Sequence, residues 1–410
     1  MSSCRATNAK PGRPVGSAPS VEKKRNVTLT WTGRRPPLEP ALAGSSAAVE
    51  RYTVRDEKRE AGIFLRGDNL AGLQRLLETH RGKVTLAYID PPFLTGRAWE
   101  KRDRMTGEVT TAFDDHWDDR ASYLESIGAR VALIRELLAP HGSMVLHVDP
   151  KTSHYLRVLC DEIFGEDAFA SEIVWRYRRW PTKTPNFQRV HDVLLRYRKD
   201  PKTPPRFHQL YEPLSTSTLK TWGDKKQRAV FGDAGKRLRS STAEEDSRGV
   251  PMGDVWEIGV IAPVSKERTG YPSQKPELLL ERIVSALTDP GELVLDAYAG
   301  SGTTLAVAAT HGRPFIGLDA SDVAFETVKK RLEVRGYHFA TEAKPEPPVA
   351  TSRADAQANK DEIARLAANS AAKERARIVA YLRREASDEE MYRDEEAYLR
   401  AADAIERGEL

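Results

Sequence analysis

The chain has 410 residues, 40% of them hydrophobic and 30% charged, with 27 glycines and 25 prolines; this excludes collagen-like, coiled-coil and wholly disordered chains and leaves room for one large α/β domain with an insertion. No apolar run reaches the roughly 18 residues of a membrane span, no signal-peptide core opens the chain, and the two cysteines, Cys4 and Cys160, cannot build a disulfide framework or a thiolate zinc site, so a cytoplasmic protein with no structural metal and no membrane contact is expected. The net charge of +4 is unevenly spread, with eight Lys/Arg against two acids in residues 1–45 and twelve against sixteen in 341–410, so an anionic partner must be met by local patches and a basic arm.

Residues 1–45, rich in Ser, Ala, Pro and Lys/Arg, read as a disordered basic tail. Short β-branched runs then alternate with helical ones. The expected order is strand 63–65, helix 70–78, strand 84–89, loop 96–119, helix 123–138, strand 143–148, helix 153–164 and strands 172–177 and 192–197. An irregular stretch, 200–270, carries Lys225, Lys226 and Arg237 among its cations. Helix 276–287, strand 292–296, helix 303–310, strand 314–319 and helix 322–334 follow. Beyond a Pro-rich linker at 344–348, an Ala/Glu/Arg-rich stretch reads as appended helices. Such alternation predicts a doubly wound, mainly parallel sheet with ligands at the carboxyl ends of its strands.

Two strand ends carry chemistry. Leu293–Asp296 runs into Ala297-Tyr298-Ala299-Gly300-Ser301-Gly302-Thr303-Thr304, a turn whose glycines let backbone approach a nucleotide-like ligand. A Walker loop needs a Lys before the Ser/Thr, and a dinucleotide fingerprint needs a Gly where Leu305 stands. Asp319 ends the next strand, where a carboxylate can accept ribose hydroxyls or cap a helix. The other strand, Val84–Ile89, ends in Asp90-Pro91-Pro92-Phe93. The Asp90 carboxylate and the Pro91 carbonyl can both accept from one exogenous amino group, and Phe93 can stack on the flat base that carries it.

The chain resembles the S-adenosylmethionine-dependent DNA amino-methyltransferases, in the permuted group whose catalytic tetrapeptide precedes the cofactor turn. The likeness spans about residues 62–337 and rests on Gly67-Asp68-Asn69-Leu70, on Asp90 to Phe93, on Tyr271-Pro272-Ser273-Gln274-Lys275-Pro276 and on Asp296 to Thr304. Segments 136–149 and 156–175 also look like modification subunits of type III restriction systems. The resemblance implies a Rossmann-like, seven-stranded, circularly permuted sheet. Its halves would be 46–199 (catalytic) and 271–340 (cofactor-binding), with 200–270 as a target-recognition insertion and 341–410 as linker and helices.

By the same resemblance Asp68 lies near the cofactor adenine and Lys275 and Pro276 near its methionine moiety or adenine. Asp296, Tyr298, Gly300, Ser301, Gly302 and Thr303 surround the methionine moiety, and Asp319 takes the ribose. Ala297-Tyr298 replaces the more usual Pro-Phe, and Asp319 the frequent Glu. The implied activity is methylation of adenine N6 in duplex DNA after base flipping, with cytosine N4 or a non-catalytic subunit of a restriction complex as alternatives. A restriction subunit or a second copy could serve as partner. Ring-carbon methylation would call for a cysteine nucleophile, and Cys160 falls in a helix. Trp175-Arg176-Tyr177-Arg178-Arg179-Trp180 interleaves cations with rings, a pattern for phosphate contact and stacking, so Arg176, Arg178 and Arg179 join Lys225, Lys226 and Arg237 as DNA-binding candidates.

Overall fold

The computed structural model describes residues 28–31, 34, 49–57, 59–102, 109–178, 183, 185–222, 224, 230, 231, 237, 238, 246–262 and 264–341. The sheet is built outward from β3 (Val84–Ile89), all of whose residues are buried. Its side chains alternate between two cores: Ala87 and Ile89 pack on one face, Leu86 and Tyr88 on the other. A strand apolar on both faces belongs at the centre of a parallel sheet. Its parallel neighbours are β6 (Leu138–Val148) and β14 (Leu293–Asp296), and β15 (Phe315–Asp319) and β2 (Glu60–Gly67) extend the parallel run beyond β14.

Beyond β6 come antiparallel β8 (His191–Arg198) and β7 (Phe169–Arg176), then β13 (Val255–Glu257), parallel to β7. Beyond β2 come antiparallel β1 (Val49–Arg55) and β16 (His338–Thr341). The sheet therefore has ten strands where seven were expected. The additions are β1, β13 and β16, all short or mixed in polarity and at the edges, where alternation of apolar and polar residues gives the weakest sequence signal.

Helices α1 (Asn69–His80), α2 (Arg120–Leu137) and α3 (Ser153–Phe164) cover one face; α5 (Glu277–Leu287), α6 (Thr303–Thr310) and α7 (Asp322–Glu333) cover the other. Their starts are set by local chemistry. Asp68 caps α1 by accepting from the Ala71 amide at 2.9 Å, and Asp119 and Ser122 form a reciprocal capping box at the start of α2.

Segment 200–270 is tied to this body at both ends. The Arg206 guanidinium meets Glu292 at 2.8 Å, the His208 amide donates to the Ala286 carbonyl at 2.7 Å, and β13 joins the main sheet. Between these ties lie α4 (Thr216–Trp222) and two small ladders, β9 (Tyr211–Glu212) with β12 (Val250–Pro251) and β10 (Val230–Phe231) with β11 (Arg237–Leu238). After the Asp90–Phe93 turn, β4 (Ala98–Arg102) and β5 (Val109–Asp114) form a hairpin.

The tail expected to be disordered over 1–45 is in part docked. Leu29 and Trp31 pack against the α1–α3 core; the Leu29 amide donates to Glu162 at 2.6 Å and the Trp31 indole to Glu125 at 3.2 Å. Two apolar anchors in a polar stretch are lost when composition is averaged over a window. The rest of the tail and the helices expected beyond 341 lie outside the described residues. Among the described residues no helix is long and apolar enough to cross a membrane.

Candidate active site

Because β3 and β14 are parallel neighbours, with Tyr88 opposite Asp296, their carboxyl ends deliver both turns to the same edge of the sheet. One cavity of about 350 Å³ lies there. Asp90, Pro91, Pro92 and Phe93 line it from the proline turn, Asp296, Tyr298, Gly300, Ser301 and Thr303 from the glycine turn, and Asp68, Lys275 and Asp319 from elsewhere. Pro276 and Gly302 stand behind this wall: Pro276 starts α5, and Gly302 starts α6. Gly302 has φ +71°, and a Cβ there would lie 2.9 Å from Val328 Cγ2, so only glycine fits.

The glycine turn is cross-braced. Asp319 accepts the Gly300 amide at 2.8 Å and the Ser321 amide at 2.9 Å, so its carboxylate already shapes the loop that would hold a ligand. Arg331, buried on α7, donates to the Ser301 carbonyl at 3.2 Å and to Glu277 at 2.6 Å. The Thr303 hydroxyl donates to the Lys275 carbonyl at 3.1 Å, linking the turn to the start of α5. Burial pushes the Asp296 carboxyl up to about 7, and the like charges of Asp90 and Asp319 push the same way. Burial also raises Asp319.

Lys275, expected beside the cofactor's methionine moiety or adenine, lines the cavity and hydrogen-bonds the Asp90 carboxylate, and its ammonium sits 5.2 Å from the centre of the Phe93 ring. The pair is mostly enclosed, with Lys275 10% and Asp90 17% exposed. Asp68 faces Arg130 at 3.3 Å, and Arg130 also holds Asn69 at 2.5 Å.

Three supports escaped the sequence. Asp115, wholly buried, accepts the amides of Phe93 (3.2 Å), Leu94 (3.0 Å) and Thr95 (2.8 Å), the Thr95 hydroxyl (2.6 Å) and the Trp117 indole (3.0 Å). These bonds hold Leu94 at φ +57°, a left-handed conformation that is costly for a branched residue. Behind Phe93, His147 accepts or donates a 2.7 Å hydrogen bond with the Tyr88 hydroxyl and lies 3.5 Å from the Asp192 carboxylate, its ring centre 5.9 Å from that of Phe93. Over the cavity, the rings of Trp99, Phe113 and Tyr271 form a column with centre spacings of 5.9 and 6.4 Å, and Lys101 of the hairpin reaches Thr327 of α7 at 3.0 Å. The position of loop 96–119, directly after the Asp90–Phe93 turn, suits a segment that closes over the site, but neither Trp99 nor Phe113 stands out in the sequence.

The DNA-binding candidates divide. Trp175 and Tyr177 are core residues, 3% and 4% exposed, their polar atoms bonded to the Ile258 carbonyl and to Asp192. The rings are therefore not available for stacking on bases, because strand alternation turns them inward and the arginines outward. Arg176 is exposed and paired with Glu257, and Arg178 is exposed. Arg179, Lys225 and Lys226 lie outside the described residues, and Arg237 is a backbone member of β11.

An acid-rich cavity of this size suits a cationic, nucleoside-sized guest: Asp68, Asp90, Asp296 and Asp319 outnumber Lys275 and Arg130. A sulfonium-bearing nucleoside meets that description, so the residues present fit S-adenosylmethionine.

Residues 84–330 match the model of the N6/N4 family, described as DNA methylase. The chain is 29% identical over 320 residues to Type II methyltransferase M.EcaI of Enterobacter cloacae, covering 66% of this chain and 69% of that protein. It is 26% identical over 295 residues to DNA adenine methyltransferase YhdJ of Escherichia coli K12, covering 69% of this chain and 86% of that one. The crystal structure of an M1.HpyAVI–SAM complex superposes with a TM-score of 0.41 at 19% identity, covering 66% of this chain and 98% of that one. The chain belongs to the N6/N4 DNA methylase family, whose methyl donor is S-adenosylmethionine.

Proposed function

We propose that this chain is a site-specific DNA methyltransferase that methylates adenine N6 in duplex DNA after flipping the base, with the permuted motif order. The observation that carries this reading is the meeting of Asp90-Pro91-Pro92-Phe93 and the glycine turn in one cavity. S-adenosylmethionine, when bound, supplies an electrophilic methyl group on a sulfonium. The residues of the glycine turn, with Asp68 and Asp319, hold it. The Asp90 carboxylate and the Pro91 carbonyl accept the two N–H bonds of the target amine and draw its nitrogen toward tetrahedral geometry. These bonds strengthen as positive charge develops on nitrogen, so they lower the barrier rather than merely bind substrate. Phe93, backed by His147, stacks on the flipped base. The Asp90 carboxylate can take up the proton that leaves the nitrogen.

Adenine is favoured over cytosine because the first tetrapeptide residue is Asp, and because the relative YhdJ, aligned over 69% of this chain, carries the name adenine methyltransferase. The type III likeness has no counterpart among the relatives named above. Arg176 and Arg178 serve as phosphate contacts, and the reading carries with it the cytoplasmic location in which a bacterial DNA methyltransferase meets its substrate. The test is to express the chain in a host free of DNA methylation, digest the DNA to nucleosides and analyse them by mass spectrometry. N6-methyladenine is expected. N4-methylcytosine alone would overturn the adenine assignment, and unmodified DNA the enzyme itself.

A further inference from the structure

The loop between β7 and β8 leaves the sheet at the edge that carries the catalytic turn. β6 is parallel to β3, with Leu146 opposite Ile89. β8 is antiparallel to β6, with Val193 opposite Val148, and β7 closes on β8 with Arg176 opposite His191. The loop therefore springs from a strand two inter-strand spacings from β3, about 10 Å to the side of Asp90.

Its return limb is fixed. Arg189 donates to the Asp149 carboxylate at 2.6 Å; that side chain is 2% exposed and also accepts the amides of Lys151 and Thr152, each at 3.0 Å. Two residues before this anchor stands Phe187, fully exposed at 105%, while the next most exposed phenylalanine among the described residues, Phe207, reaches 47%. Arg178 and Lys183, both exposed, lie on the same loop. A bare ring on an anchored limb beside cations suits insertion between stacked bases while the cations meet phosphates.

We infer that Phe187 wedges into the base stack of duplex DNA and fills the gap left by the flipped nucleotide. The inference rests on the proposed methyltransferase reading and assigns the flipping step to a residue outside the cavity. A flipped base leaves a void of one base thickness, and an aromatic ring is the side chain that restores stacking across it.

The test uses the full chain and two synthetic duplexes bearing its methylated site, located by sequencing modified DNA from the expressing host. In one duplex the target base is paired; in the other it faces an abasic position, so unpairing is already done. Phe187→Ala is expected to lower kcat/KM on the paired duplex on the order of 10- to 100-fold and to stay within a few-fold of wild type on the abasic one. Phe187→Trp is expected to keep most activity on both. Equal rates for wild type and Phe187→Ala on the paired duplex, as for a protein-docking residue, would overturn the inference, as would an equal loss on both duplexes. A wild-type chain that methylates neither duplex overturns the functional reading and this inference with it.

Discussion

The Lys275 ammonium and the Asp90 carboxylate are hydrogen-bonded to each other across 185 residues of chain. The contact joins the start of α5 to the end of β3, and Lys275 in turn is tied to the glycine turn through Thr303. The two halves of the cavity are thus joined through one residue, by its ammonium to Asp90 and by its backbone carbonyl to Thr303.

Removing that cation separates two roles for Lys275. If it holds Asp90, Lys275→Met lowers kcat roughly 10- to 100-fold, the worth of a charge-assisted hydrogen bond, while S-adenosylmethionine still binds. If it holds the cofactor's carboxylate instead, the Kd rises and kcat falls little. Equilibrium dialysis beside steady-state methylation decides, and the first outcome is expected, with Lys275→Arg intermediate.

Asp90→Ala deletes an acceptor whose bond strengthens in the transition state. A loss of about 10²- to 10³-fold in kcat is expected, with cofactor affinity changed by less than about tenfold, since the glycine turn and Asp319 are untouched. Tritiated methyl transfer and dialysis measure the two quantities.

Asp115→Ala strands three amides of the turn and frees Leu94 to leave its left-handed conformation. Thermal or urea unfolding is expected to show a loss of about 2–4 kcal/mol, with KM for DNA raised because Phe93 is no longer fixed. Asp115→Asn, which keeps one acceptor oxygen, is expected to fall between.

Asp296 gives a pH dependence. Its carboxyl stands at about 7 in the fold against 3.8 in the open chain. Between those values the folded protein keeps a proton that the unfolded chain releases. The stabilisation is therefore complete below 3.8 and is lost as pH rises through about 7, a change on the order of a few kcal/mol. Denaturation of the ligand-free protein at pH 5 and pH 8 is expected to show it, and Asp296→Asn to flatten it. A sulfonium guest favours the ionised carboxylate, so binding near pH 7 should release protons, which calorimetry in buffers of different ionisation enthalpy detects.

Both turns were legible in the sequence because their chemistry is local: a carboxylate before two prolines, and two glycines between a strand and a helix. The central strands were legible because they are apolar on both faces. What the sequence hid was who touches whom. Nothing in the local pattern around Lys275 gives its contact with Asp90, which depends on the start of α5 and the end of β3 meeting at one edge. Asp115 read as one acid in a charged loop until the chain folded it back on Phe93. The rings of Trp175 and Tyr177 looked like stacking platforms because reading them as a cluster ignored the two-residue period that turns them inward.

The β4–β5 hairpin is closed at its foot by two hydrogen bonds, the Gly96 amide to the Asp115 carbonyl and the Asp115 amide to the Arg97 carbonyl, both 3.1 Å. The neck of the excursion is thereby clamped beside the same residue that orders the catalytic turn. The hairpin and the Asp90–Phe93 turn therefore share one foothold: Trp99 and Phe113, which line the cavity from above, are carried by strands clamped at the residue that orders the turn below. A shift of this foothold would move the cavity's cover and its floor together, so the two cannot be altered independently.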